Sequence, residues 1–486
     1  MRKIASAFAV LAVIAVLPTM ARGAAVVDQS FGDYGVARIQ TVPIRQSRFE
    51  PATAVAEQRD GKLIVLGNQD YIYSEPNYRI GLMSIGRFTP NGKPDTTFGR
   101  GGINPGSSYK GRGYVGYGDD LAVTRRDRIF AAGPFMPTYK IPDNWTGDCM
   151  VLSRYRPDGS FDIGFGDSGQ ISQCLHKPWI SPEGGPSASI STRTWNAGKR
   201  PTVGLDARSI DLTGEGKILI GGQTLRNNSE TAAFVARFNQ NGKLDRGFKG
   251  GRSTRTGDNG IVEIRRSREV GGRKETNEVL ALRHRKVLAV GELRGSMMIA
   301  RLRGNGSLDS SFGAGGVIKP ELPVEDECCA TAETAAIDNR GRILVAGYFA
   351  NFEKNPYGVQ PVILRLLRNG SLDRSFGTDG ISMPALPDFA TGYPSPVRTF
   401  WPTAMVVQKD GRIVLSGNYN YDFGVMRLTG SGKLDKSFFE DGMFDARSEI
   451  GEGGGTANDL LIDRRGRIVV AGAVSQDSFD LVRILP

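Results

Sequence analysis

The sequence predicts an all-β fold, a seven-bladed β-propeller built from four-stranded antiparallel blades. Three observations predict it. One motif returns seven times, each unit holds four strand-sized segments, and one unit is divided between the two ends of the chain.

The motif is Asp-x-x-Phe, usually followed by Gly. Its aspartates are Asp28, Asp95, Asp162, Asp245, Asp309, Asp373 and Asp435, and its phenylalanines are Phe31, Phe98, Phe165, Phe248, Phe312, Phe376 and Phe438. Successive phenylalanines lie 67, 67, 83, 64, 64 and 62 residues apart. A second element is a polar turn, then in most copies a basic residue, then an apolar run ending in Gly. Ile343-Leu344-Val345-Ala346 before Gly347 is one copy. Such runs are short, apolar and bounded by turn residues, as buried strands are. A third element is an apolar strand carrying one arginine: Arg87, Arg154, Arg237, Arg301, Arg365, Arg427 and Arg483. Six of these precede their aspartate by eight residues. A charge on an apolar strand needs a partner, so the spacing predicts Arg–Asp pairs within or between neighbouring units. The alternative is arginines turned to solvent at a sheet edge.

Repeated four-stranded units without sustained helical periodicity are what a propeller requires. The seventh unit stops at Pro486, before its Asp-x-x-Phe, and the chain supplies that missing segment near its start, at Asp28–Phe31. A closed ring accounts for this division. An open solenoid would carry atypical caps instead.

The chain has 486 residues, 39% of them hydrophobic and 23% charged, with 64 glycines. That glycine share is nearly double the usual one of about 7% and fits many turns. Arg2 and Lys3, the apolar run 4–18 and the small residues after it read as a signal peptide over 1–24, leaving one domain at 25–486. An uncleaved anchor is the alternative reading, although the run is short for a membrane span. No transmembrane segment is expected in the mature chain, and no cysteine near the cleavage zone supports a lipoprotein anchor. The expected location is the periplasm, the cell surface or the medium. Without 1–24 the chain holds 59 basic and 51 acidic residues, a balance of +8. That mild charge suits anionic surfaces or glycans and does not point to nucleic acid.

Asp-x-Ser-Phe-Gly at 309–313 and 373–377, the Gly-Ser-Leu-Asp lead-in at 306–309 and 370–373, and Asp-Gly-Arg-Ile-Val at 410–414 resemble the delta-60 repeat of bacterial exported proteins. The resemblance covers essentially the whole mature chain. Copies with Thr97, with Gly247-Phe248-Lys249 and with Phe438-Phe439 depart from it. It implies a β-propeller-like fold in bacteria and no activity, and its motif residues look structural.

Successive turns of antiparallel strands alternate between the two ends of a sheet. The variable loops at 68–79, 134–148, 174–201, 321–331, 351–360 and 384–402 therefore share one face, the candidate for function. Trp145, Trp179, Trp195 and Trp401 lie on or beside them. Exposed, they would suit glycan or protein contacts; folded inward, they would fill small loop cores. The eight basic residues among 249–276 divide between opposite faces and read as a solvated surface.

Four cysteines in an exported chain are expected to pair. Cys149 and Cys174 stand on loops of adjacent units and could staple them. Cys328 and Cys329 are neighbours; a bond between them would be strained, and free thiols or other pairings are the alternatives. His176 is the single histidine on the variable face, while His284 reads as a turn residue. Zinc sites need more ligands than these, and no phosphate loop, nucleophile elbow or calcium loop is present. No cofactor or metal is expected. Two classes of function remain: a binding or scaffold module for an envelope protein or glycan, and a hydrolase or lyase at the central channel. The sequence favours binding, because no titratable cluster departs from the repeat. Scattered carboxylates such as Glu183, Glu325, Asp326 and Glu327 cannot be paired from spacing alone.

Overall fold

The structure is a computed structural model. It describes residues 25–486 apart from 41–46, 50, 73–78, 105, 107–116, 136–148, 174–202, 227–230, 252–259, 265–272, 325–328, 351–358, 388–397 and 475–477. Strands form seven antiparallel sheets, the blades of a β-propeller. Blade five shows the plan: an inner strand Ala330–Ile337, then Ile343–Ala350, Val359–Leu366 and a short outer strand Ile381–Ser382, paired in that order. The inner strands of the others are Ala54–Glu57, Asp120–Val123, Val203–Leu212, Lys274–Ala281, Phe400–Val407 and Thr456–Ile462. Together they surround the central channel.

The short strand after each Phe-Gly segment is the outermost strand of the preceding blade. It follows that segment in sequence yet completes the sheet before it. Closure follows from this arrangement. Val26–Val27 and Val36–Gln40 both pair with Ser478–Leu485, completing blade seven from the other end of the chain.

The repeated motif builds a clamp around the rim of the ring. In all seven blades the arginine Nε lies 2.7–2.9 Å from the aspartate Oδ2. Its guanidinium sits 4.1–4.6 Å from the centre of the motif phenylalanine ring. Such cation–π contacts are strongest when desolvated, and every one of these phenylalanines is buried. The basic turn residue of the second element reaches the same carboxylate, as Lys286 does to Asp309 at 2.8 Å and Arg342 to Asp373 at 3.0 Å. The serine of Asp-x-Ser-Phe closes the local turn: Ser311 Oγ donates to Asp309 Oδ1 at 2.8 Å.

The clamp also grips the following blade. Arg87, Arg154 and Arg483 each donate Nη1 to a turn carbonyl there, on Pro157, Gln240 and Pro90, at 2.6–2.7 Å. Arg301 and Arg365 do the same to Arg368 and Gly430. At the closing seam Nη1 of Arg427 is buried without a partner among the described residues.

Cross-blade bonds also line the channel. Inner strands carry a bulge, so that Arg208, Asn277, Glu333, Thr403 and Asn458 each stand as an extra residue. Thr53 and Asp119 hold the equivalent places in blades one and two. The glycine ending each apolar run is the counterpart of this bulge. A Cβ on Gly347 would run into the Thr331 carbonyl, and one on Gly291 into that of Glu275. Four bulge side chains donate to a backbone carbonyl of the following blade: Thr53 to Gly118 (2.8 Å), Asn277 to Ala332 (3.1 Å), Thr403 to Ala457 (2.7 Å) and Asn458 to Ala52 (2.9 Å). Just past the bulges, Asp120 and Asp459 accept the amides of Ile210 and Val55 from the next blade at 2.8 Å. Glu278 takes the amide of Ala335.

Candidate functional site

The tight turns joining inner to second strands lie at one end of the blades, so the opposite end carries the variable connections. Trp145, His176, Trp179, Trp195, Cys174 and Cys328 lie outside the described residues, as do Glu183, Glu325, Asp326 and Glu327. Cys149 is buried at the start of its strand, Cys149–Tyr155. His284 occupies a turn at the opposite end with a left-handed φ of 59°, as expected of a residue replacing Asn or Asp.

Trp401 is the one candidate tryptophan described. It is the second residue of the blade-six inner strand, at the variable end, and remains 39% exposed. Its ring lies 4.6 Å from that of Tyr348 on blade five. The next hairpin of blade six, Asn420-Tyr421, has both residues at positive φ, and Tyr421 is 74% exposed. A bulky residue in that conformation is unusual.

Beside the aromatic pair, blades three to five bring charged groups to the channel mouth. Arg208 Nη1 and Arg273 Nε both reach Glu275 Oε2, at 3.0 and 2.8 Å. Arg208 Nε also lies 3.6 Å from Asp206. Glu292 stands opposite Glu275 in blade four. It accepts the Gly295 amide at 3.0 Å and the Thr331 hydroxyl at 3.2 Å. Burial, opposed by those hydrogen bonds and reinforced by Glu275, holds its carboxyl above the ordinary range. Burial likewise raises the Tyr348 hydroxyl.

Glu333 departs from most of the channel ring. It stands at a bulge and cannot donate to the neighbouring carbonyl as a carboxylate. It accepts no hydrogen bond from a described residue. The wall encloses it, yet solvent still touches it. Burial first, and then the nearby Glu275, push its carboxyl up to about 7. A group poised at that value can hold or release a proton at neutral pH.

Sequence reasoning singled out Trp401 on the variable face but not its neighbours Glu333, Glu292, Glu275, Arg208, Arg273 and Tyr348. Their signal was available at one remove. The glycine after each apolar run marks the bulge across from it, and blades three and five place Arg208 and Glu333 where most others have Thr or Asn. No group of metal-ligating side chains among the described residues is placed to hold an ion. No helix among them is long and apolar enough to cross a membrane.

Four segments, 58–98, 215–248, 341–376 and 408–438, match a family model described as a β-propeller domain of unknown function (DUF5122). Each segment ends on a motif phenylalanine. The chain is a β-propeller repeat protein. No curated protein matches it. Among solved structures, it is similar to virginiamycin B lyase from Staphylococcus aureus at 10% identity and TM-score 0.45, over 93% of this chain and 99% of that one. It is similar also to an α-L-arabinanase from Penicillium chrysogenum, at 10% identity and TM-score 0.42, over 95% and 97%. A protein of unknown function from Dyadobacter fermentans matches at 13% identity and TM-score 0.40, over 93% and 99%. Likenesses this distant concern the fold alone.

Proposed function

We propose that the chain is an exported propeller of the delta-60 kind that binds a cell-envelope glycan at the channel mouth over blades four to six. The observation carrying this reading is the half-exposed Trp401, its ring tilted by 59° against that of Tyr348, which lies near Glu333, a carboxyl that accepts no hydrogen bond from a described residue. An aromatic face takes the apolar side of a sugar ring, and carboxylates beside it accept the hydroxyls. In this reading residues 1–24 are removed on export and a Cys149–Cys174 disulfide ties neighbouring loops. Intact mass of the secreted chain, before and after reduction, tests both points. Binding is tested by titrating envelope oligosaccharides against tryptophan fluorescence. Trp401→Ala should weaken binding at least about tenfold, or about 1.4 kcal/mol, and leave the thermal midpoint nearly unchanged. A variant that binds as the parent does would refute the site.

A second reading, a glycan hydrolase or lyase, is favoured by Glu333, whose carboxyl near 7 suits a general acid. It requires new reducing ends from an envelope glycan and their loss in Glu333→Gln.

A further inference from the structure

The charges at the mouth do not balance. Both arginines are engaged by Glu275, and Arg208 lies near Asp206 as well. Glu292 and Glu333 are left without an ion pair to any described residue, on a chain whose overall balance is basic. Both lie in the cluster that Tyr348 joins, and the Trp401 ring sits tilted against Tyr348 with centroids 4.6 Å apart. An aromatic face attracts a cation, and an ammonium brings three donors. Glu333 can take donors of that kind, because four of its counterparts at the other bulges bond to the protein and it accepts no hydrogen bond from a described residue. A neutral sugar would bring no charge to offset either carboxylate, whereas an ammonium would favour their ionised forms.

We propose that the mouth over blades four to six recognises the protonated amino group of an amino sugar, its ring against Trp401 and its ammonium held by Glu292 and Glu333. This rests on the glycan-binding reading and narrows it to one substrate class. The groups facing Glu333 are Glu275, Glu292, Arg208 and Arg273, with Tyr348 beside them. With Glu333 protonated these charges cancel, and with it ionised one net negative charge remains, so an arriving cation favours the ionised form and drives the proton off Glu333. Binding therefore releases a proton near neutral pH and tightens as pH rises toward the point where the amine itself deprotonates.

The test is calorimetry on the mature chain at about pH 6.5, with a glucosamine tetramer and its N-acetylated counterpart. The amine tetramer should bind at least about tenfold tighter, with an enthalpy that depends on the ionisation heat of the buffer. Glu333→Gln should remove both the preference and the buffer dependence while still binding the acetylated tetramer weakly, and Glu292→Gln should reduce the preference. Equal affinity for the two tetramers overturns the amine claim and leaves glycan binding in place. Failure of every glycan overturns both. Tighter binding of trilysine than of either tetramer overturns the amino sugar in favour of a peptide amine.

Discussion

The rim and the channel of this ring are both built from contacts that cross from blade to blade, yet they behave differently. At the rim, arginine, aspartate and phenylalanine recur in all seven blades with nearly the same distances. In the channel, the bulge position is Thr, Asn, Asp, Arg or Glu, and four of the seven make the same cross-blade bond to a carbonyl. Uniformity marks a place where every blade has the same task. Divergence on an otherwise repeated position marks a place released from that task, and Arg208 and Glu333 are such places.

The comparison can be broken most directly at the rim. Arg301→Ala leaves Asp309 buried without its strand arginine and removes the cation over Phe312. It should lower stability by about 3–5 kcal/mol, the cost of breaking a buried pair, read from urea unfolding. A loss below about 1 kcal/mol would mean that Lys286 alone carries the carboxylate.

Acidity separates the regions next. At the rim, burial alone would raise Asp95, but Thr97, Lys62 and Arg87 bring it down to about 2. Asp373 is also held at about 2, by Ser375 and Arg365 against burial. A depressed carboxyl stabilises the fold above its unfolded value of about 3.9, and that support is lost as pH falls toward 2. In the channel the sign reverses. Burial pushes Asp459 up to about 6 and Glu278 up to about 8. There the folded state holds the proton more tightly, so stability declines as pH rises from about 4 to about 8, by at most about 1.4 kcal/mol per unit for each group. Urea midpoints should peak near pH 4–5 and fall on both sides. Glu278→Gln should flatten the upper limb only; an upper limb unchanged in that variant would remove the wall as its cause.

The smallest effect sharpens the contrast. Asn277→Ala deletes one channel bond to the Ala332 carbonyl and should cost about 0.5–1.5 kcal/mol. Glu333→Gln can donate as the other bulge residues do, and should raise the thermal midpoint slightly above pH 7. If both variants lose as much as Arg301→Ala, the two regions are energetically alike.

The sequence made the rim legible because seven copies repeat one spacing. The eight-residue interval from arginine to aspartate is a contact within each blade, and Asp28 beside Arg483 is the same contact made across the chain ends. The channel was not legible for a physical reason. A bulge inserts one residue into a strand and interrupts its two-residue alternation, so Glu333 reads as one more residue on a strand. The partners of Glu275 come from blade three and from the residue before its own strand, and no spacing announces them. The blade to which each outer strand belongs was not legible either, because a two-residue strand such as Ile381–Ser382 carries too little pattern to declare its sheet.

The rim clamp has a bearing on descent. Five of the arginines seize the next blade by a backbone carbonyl, offered by proline, glutamine, arginine or glycine alike. The arginine makes no demand on the neighbour's side chains, and the phenylalanine asks only for a turn glycine there, as Phe98 does of Gly159. A gene that duplicates or loses one unit would therefore still encode blades that fit one another, and only the curvature of the closed ring would have to adjust. Lineages built on this clamp are free to shuffle their blades, and the side chains around the channel can diversify without renegotiating the joints.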